Sequence, residues 1–354
     1  MKIDRFVKML VTAGMIAMFT CGITAFADTV KVNASNLNFR TSAGMSAEVI
    51  RTLPRGTVLE RTENLGEWSR VTVGGVTGYA ASRYLQEVTP IVSETVADTV
   101  YASEAWTVEM KPEYQYASNS KINSGHATFY KTNAQTPKGK VICVNAGHGT
   151  KGGSSVKTLC HPDGSPKVTS GTTAAGATTA VAVSSGMTFN DGTPESTVTL
   201  KMAKILRDKL LAEGYDVLMI RETDDVQLDN IARTVLANNL ADCHLALHWD
   251  STTSDKGCFY MSVPNHAGYR AMEPVASHWE SHNQLGDCLI EGLRAEGNKI
   301  FSSGAMEMDL TQTSYSTIPS VDIELGDKAS SHSNETLEKL ANGLVAGIGR
   351  YFNK

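Results

Sequence analysis

Lys140-Val141-Ile142-Cys143-Val144-Asn145-Ala146-Gly147-His148-Gly149 is the stretch from which the architecture of this chain becomes readable. Val141 to Val144 is a short continuous apolar run, the pattern of a strand buried on both faces. Gly147 and Gly149 flank a histidine immediately after it, which permits an unusual turn and close backbone approach. Outward from this point, strands alternate with helices. Val198, Met202, Ile205, Leu206 and Leu210 recur at helical spacing and stop at Gly214. Tyr215 to Ile220 reads as a strand, followed by a helix near Leu228–Leu240. Cys243 to Leu247 and Val321-Asp322-Ile323 read as further strands. A last helix runs from a Ser333 cap through Leu337, Leu340, Leu344, Val345, Ile348 and Phe352. This order predicts an α/β domain over residues 140–354, a mostly parallel sheet flanked by helices.

The opposite end of the 354-residue chain reads as an address. Lys2, Arg5 and Lys8 precede an apolar run from Met9 to Phe26, and Ala25-Phe26-Ala27 is a small-x-small cleavage site, so residues 1–27 are predicted to be a signal peptide. The alternative is an uncleaved membrane anchor, since the run approaches spanning length. Removing the leader takes away Lys2, Arg5, Lys8 and Asp4 and moves the formal charge from -5 to -7. No later stretch is long and apolar enough to span a membrane, and the protein is expected to be secreted. A net acidic chain is a poor general nucleic-acid binder. Charged residues at 19% exclude a generically disordered chain. The five cysteines after the leader (143, 160, 243, 258, 288) are too few for a disulfide scaffold and odd in number, and their pairing stays open.

Residues 28–88 hold short alternating runs between glycine and proline turns. Leu37-Asn38-Phe39-Arg40, Glu48-Val49-Ile50, Thr57-Val58-Leu59, Trp68 to Val73 and Thr77 to Ala80 are candidate strands, with Pro54-Arg55-Gly56 and Gly74-Gly75 as turns. Such spacing predicts a small all-β barrel. The opening Leu-Asn-x-Arg, the Trp-x-x-Val strand and the closing Thr-Gly-Tyr with Tyr84-Leu85 resemble the bacterial SH3 domain. The resemblance implies a module that binds the cell wall; a packing domain that binds nothing is the alternative. From residue 89 to 139 periodicity is lost among Pro90, Pro112, Pro137 and many Ser, Thr, Asn and Ala, which predicts a linker with some local order around Trp106 and Tyr114–Tyr116.

Three acid/base or ligand residues directly follow strands: His148, His248 and Glu324. Strand ends of an open parallel sheet converge on one edge, where such sheets place their sites. Glu195 adds a fourth, at the first turn of the helix beginning near Ser196. Two imidazoles and a carboxylate suit catalytic zinc, with a position left for water. A further glutamate that is not a ligand can carry the proton.

The ordered set resembles the zinc-dependent N-acetylmuramoyl-L-alanine amidase family over essentially all of residues 140–354. The matching blocks are Asn145-Ala146-Gly147-His148-Gly149, the segment from Pro194 to Asp225, Ile231 to Asp250, and Thr317 to Asp327. The resemblance implies that His148, Glu195 and His248 bind zinc and that Glu324 is the catalytic acid/base. It implies hydrolysis of the amide between N-acetylmuramic acid and the L-alanine of the stem peptide, with peptidoglycan as the partner. The rival readings are a non-catalytic wall-binding protein with a degenerate amidase domain, and a zinc hydrolase of other stem-peptide bonds.

The chain departs from the family pattern at Asn145, where the family has Asp, at Trp249-Asp250, and at Leu325-Gly326-Asp327-Lys328, which affects the expected shape of the cleft. Residues 149–194 read as an insertion over that cleft, either functional or merely mobile. His278 and His282 lie four apart on a predicted helix and read as a solvated face, because Glu280 is misplaced for a zinc helix motif. Cys160-His161 has no partners at metal-site spacing. His244 reads as a core histidine, and Arg233 as a support for the site rather than a reacting group.

Overall fold

The computed structural model describes residues 28–87 and 101–353. The predicted leader, residues 1–27, lies outside the described residues. The chain divides into two compact units, with the division after Ala97.

The first unit has seven strands: β1 (Asp28–Val32), β2 (Asn36–Arg40), β3 (Val49–Pro54), β4 (Val58–Asn64), β5 (Trp68–Val73), β6 (Val76–Ala81) and β7 (Leu85–Glu87). They form one curled antiparallel sheet in the order β3-β2-β6-β5-β4-β1-β7. Alternation builds it: Leu37 and Phe39 of β2 point inward while Asn36 and Asn38 are exposed. Val30, Val32, Leu53, Leu59, Val71 and Ala80 complete the small core. The expected Gly74-Gly75 turn joins β5 to β6, with Val73 paired to Val76.

The second unit contains β8 (Ala102–Glu109), β9 (His126–Thr132), β10 (Val141–Ala146), β11 (Lys157–Leu159), β12 (Thr179–Val181), α1 (Glu195–Ala212), β13 (Asp216–Met219), α2 (Asn230–Leu240), β14 (Cys243–Asp250), β15 (Cys258–Ser262), α3 (Ala267–Arg270), α4 (Val275–Ala295), β16 (Ile300–Glu307), α5 (Thr311–Tyr315), β17 (Ser320–Asp327) and α6 (Asn334–Phe352). Eight strands make the main sheet in the order β16-β15-β17-β14-β10-β13-β9-β8. The sheet is mixed, with four of its seven strand pairings parallel, which agrees in outline with the expected mostly parallel sheet. β17, β14, β10 and β13 are mutually parallel, but β9 and β8 add antiparallel on one side and β15 joins antiparallel on the other. β15 and the outermost strand β16 are again parallel to one another, linked through α4.

Period-two alternation sorts the side chains. Ile142, Val144 and Ala146 of β10 pack with α1, α4 and α6, whereas Cys143 packs with α2 on the opposite face. The Ser333 cap is present, its hydroxyl accepting from the Thr336 amide at the start of α6.

The expected linker over residues 89–139 also needs correcting within its described part. Residues 102–109 and 126–132 are edge strands of the main sheet, and Asp229, buried at the N-cap of α2, accepts from the Lys121 and Ile122 amides at 2.6 and 2.9 Å. β8 is exposed along most of its length, so it lacks the apolar signature by which a strand is recognised. Residues 89–100 lie outside the described residues.

All five cysteines described are free and buried. His282 corrects the expectation of a solvated helix face: it is buried, and its Nδ1 accepts from the Ser320 amide at 3.0 Å. Among the described residues, no helix is long and apolar enough to cross a membrane.

Candidate metal centre

The carboxyl ends of β10, β14 and β17 lie side by side, and the N-terminus of α1 faces them. His148 follows β10, His248 is near the end of β14, and Glu195 is the first residue of α1. His148 Nε2 lies 2.9 Å from Glu195 Oε1, and His248 Nδ1 lies 3.1 Å from both. Two imidazole nitrogens and a carboxylate oxygen thus converge on one point, and they repel there unless a proton or cation sits among them. This group could hold a metal ion.

Backbone geometry makes that convergence possible. A Cβ on Gly147 would stand 2.3 Å from His248 Cε1 and 2.6 Å from the Leu247 carbonyl oxygen, so only glycine lets β10 and the His248 ring meet. His148 itself has a left-handed backbone, φ 64°, a conformation that costs a non-glycine residue about 1–2 kcal/mol. Two buried arginines hold it there. Arg233 donates from Nε, Nη1 and Nη2 to Leu228 O, Asn145 Oδ1, Ala146 O, His148 O and Thr150 Oγ1. Arg221 donates to Ala146 O, Gly147 O, Ser196 O and Thr199 Oγ1. These acceptors are neutral, so burial pulls the guanidinium pKa values down, to about 9 for Arg233 and about 10 for Arg221. Asn145 fits this setting, accepting from Arg233 through Oδ1 while Nδ2 contacts His244 Nε2 at 3.2 Å. Burial pulls His244 down to about 3, and its ring is neutral.

The first ligand candidate is oriented by the insertion. His148 Nδ1 donates to Ser184 O at 2.9 Å, which leaves its Nε2 lone pair for the cluster. The Met187 amide donates to Glu195 Oε2 at 2.8 Å and the Trp249 amide to Oε1 at 3.0 Å. Burial would raise the Glu195 carboxyl, but the bonds from His148 and His248 outweigh it and hold the carboxyl well below the usual range. Burial would lower His248, and Asp322, Glu195 and Glu324 overcome that, raising it to about 10.

Glu324 lies opposite His248 in the β14–β17 register, and its buried Oε2 has no hydrogen-bond partner. Burial pushes its carboxyl well above the ordinary range, and the nearby Asp322, Glu195 and Asp250 add to this against the pull of His248. His148, Glu195, His248, Asp322 and Glu324 line one cleft of about 560 Å3, together with Met261, Met306 and Met308. Residues 161–169 are tied down by Asp309, which takes bonds from His161 Nε2, Lys167 Nζ and the Val168 and Thr169 amides. His161 is therefore a hydrogen-bond partner of Asp309. Asp322 and Ser184 were missed in the sequence; an acid two positions before Glu324, on the same strand face, was the available signal for the first.

The residues that depart from the family pattern have partners within the fold. Trp249 packs in the core near Phe189, Asp250 pairs with Lys256, and Asp327 accepts from the Ala329 amide at 2.9 Å.

Residues 35–86 match the profile of the bacterial SH3 domain, and residues 142–350 match that of N-acetylmuramoyl-L-alanine amidase. The YrvJ protein of Bacillus subtilis, whose name assigns it provisionally as such an amidase, is 26% identical over 217 residues, 54% of this chain. The chain spans 41% of the length of that relative. Among solved structures, the apo form of an N-acetylmuramyl-L-alanine amidase from Mycobacterium abscessus is 21% identical, covering 60% of this chain and 99% of its own, with a TM-score of 0.49. An N-acetylmuramoyl-L-alanine amidase from Clostridium difficile 630 is 15% identical, covering 61% and 97%, with a TM-score of 0.43.

Proposed function

The chain belongs to the N-acetylmuramoyl-L-alanine amidase family, and from that premise we propose that it is a secreted, wall-associated peptidoglycan hydrolase cutting the amide between N-acetylmuramic acid and the L-alanine of the stem peptide. The observation that carries this reading is the triangle of His148 Nε2, Glu195 Oε1 and His248 Nδ1 on a cleft floor beside an unbonded Glu324 oxygen.

The triangle fits zinc. Ligand bonds of about 2.0–2.1 Å in a tetrahedron put donor atoms roughly 3.3 Å apart, and the edges here are 2.9, 3.1 and 3.1 Å. His148, Glu195 and His248 would hold the ion. When bound, it supplies a Lewis acid that polarises the scissile carbonyl and makes water acidic enough to attack at neutral pH. Glu324 takes the proton from the attacking water. It then passes that proton to the alanine nitrogen, which departs as an amine. Gly147, Arg221 and Arg233 keep His148 in the strained conformation that aims Nε2 at the cluster. The small β unit is read as a wall-binding module, supported by its SH3 match.

Incubating the full-length protein with muropeptides, with and without chelator, and weighing the products tests this. Release of stems with a free N-terminal L-alanine, stopped by chelator, is the expected result. Intact muramoyl–alanine bonds beside cut peptides would assign the hydrolysis to another stem-peptide bond, and no turnover would leave a wall-binding protein.

A further inference from the structure

Resting on the reading of His148, Glu195 and His248 as zinc ligands, we propose that Asp322 is a positioning residue that fixes His248 for the metal through its second ring nitrogen. His248 offers Nδ1 to the cluster, so a neutral ring carries its proton on Nε2. Asp322 Oδ2 lies 3.7 Å from that Nε2. The register explains the placement. Ala246 pairs with Asp322 and His248 with Glu324 across parallel β14 and β17, so Asp322 stands on the same face as Glu324, one pleat earlier. Ala246 opposite it is only a methyl group, which leaves the carboxylate room beside His248.

The other flank of the ring is closed by Gly147, where a Cβ would come within 2.6 Å of Nε2. His248 is thus confined between a bare backbone and an acid. His148 achieves the same end differently, through a backbone carbonyl at 2.9 Å from its own Nδ1. The two candidate ligands use opposite nitrogens, and each has an outer partner for the nitrogen it does not offer. At 3.7 Å the carboxylate is an electrostatic contact rather than a hydrogen bond, and its negative charge favours a proton on the facing Nε2, which leaves the Nδ1 lone pair for the metal. Asp322 lines the cleft partly buried, with the His248 ring as the basic group beside its carboxylate.

The test measures zinc affinity of the full-length protein by competition with a chromophoric chelator, for the wild type and for Asp322→Asn, Asp322→Ser and Asp322→Glu. The expected result is about 10–100-fold weaker zinc binding in the Asn and Ser variants, partial recovery in the Glu variant, and metal-free melting like that of the wild type. Wild-type affinity in Asp322→Asn overturns the proposal, and so does a loss of turnover with zinc affinity intact, which would assign Asp322 to the reaction itself. If the wild type binds zinc no better than a chain with both His148→Ala and His248→Ala, the metal centre itself is refuted, and this inference falls with it by a distinguishable route.

Discussion

Glu324 sits on the floor of the cleft with a buried oxygen that bonds to nothing, among acids that push its pKa upward. A buried unpaired carboxylate oxygen is a cost of about 1–3 kcal/mol that structure alone does not recover, and proton transfer is the use that accounts for it. Glu324→Gln keeps the shape and removes the base. We expect the variant to bind zinc as the wild type does while turnover on muropeptides falls by about 10²–10⁴; retained turnover would remove Glu324 from its role. The convergence of His148, His248 and Glu324 was legible because each closes an apolar run, and the ends of such runs meet at one edge of a parallel sheet. Asp322 was not legible in the same way, since it stands in the middle of its run and only the pairing of β14 with β17 brings it near His248.

Among elements, the insertion between β10 and α1 has one stretch gathered around a single buried carboxylate. Asp309, between β16 and α5, holds residues 161–169 by charge and by two backbone amides. Burial would raise its carboxyl, but the bonds from His161, Thr169 and Lys167 win and hold it well below the usual range. A depressed folded pKa means that the stabilisation is complete above the unfolded value, about 4, and fades as pH falls through the folded value. Asp309→Asn leaves Lys167 buried without its countercharge, a loss of about 3–5 kcal/mol. The Val168 and Thr169 amides should therefore exchange with solvent deuterium about 100-fold faster or more at neutral pH, after correction for intrinsic rates. The wild type should approach that behaviour only in acid, and equal exchange in both proteins at neutral pH would refute the anchoring role. The insertion was visible in the sequence as a Gly- and Thr-rich stretch, but its anchor lies about 140 residues downstream, where no local pattern points to it.

At the scale of the whole molecule, the catalytic unit starts earlier than its composition suggests. β8 and β9 cover the edge of β13, and the segment between them supplies amides to Asp229. A chain beginning at Asp98 is expected to melt as one cooperative unit. A chain beginning at Lys140 exposes an unpaired strand edge and strips Asp216 and Asp229 of amide donors, so it should lose about 3 kcal/mol or more or aggregate on gel filtration. Indistinguishable melting of the two would return residues 101–139 to the status of a linker. The parallel centre was legible from apolar runs buried on both faces; β8 and β9 were not, because half-exposed strands carry mixed composition. The five free thiols lie buried across the catalytic unit. Burial raises Cys143, Cys160, Cys243 and Cys258 above the ordinary thiol range. Thiolates outcompete imidazole and carboxylate for soft and borderline metals, so an unfolded copy of this chain offers a rival set of binders that folding withdraws. Packing the sulfur away leaves nitrogen and oxygen to choose the ion, and the core thereby guards the selectivity of a site it does not touch.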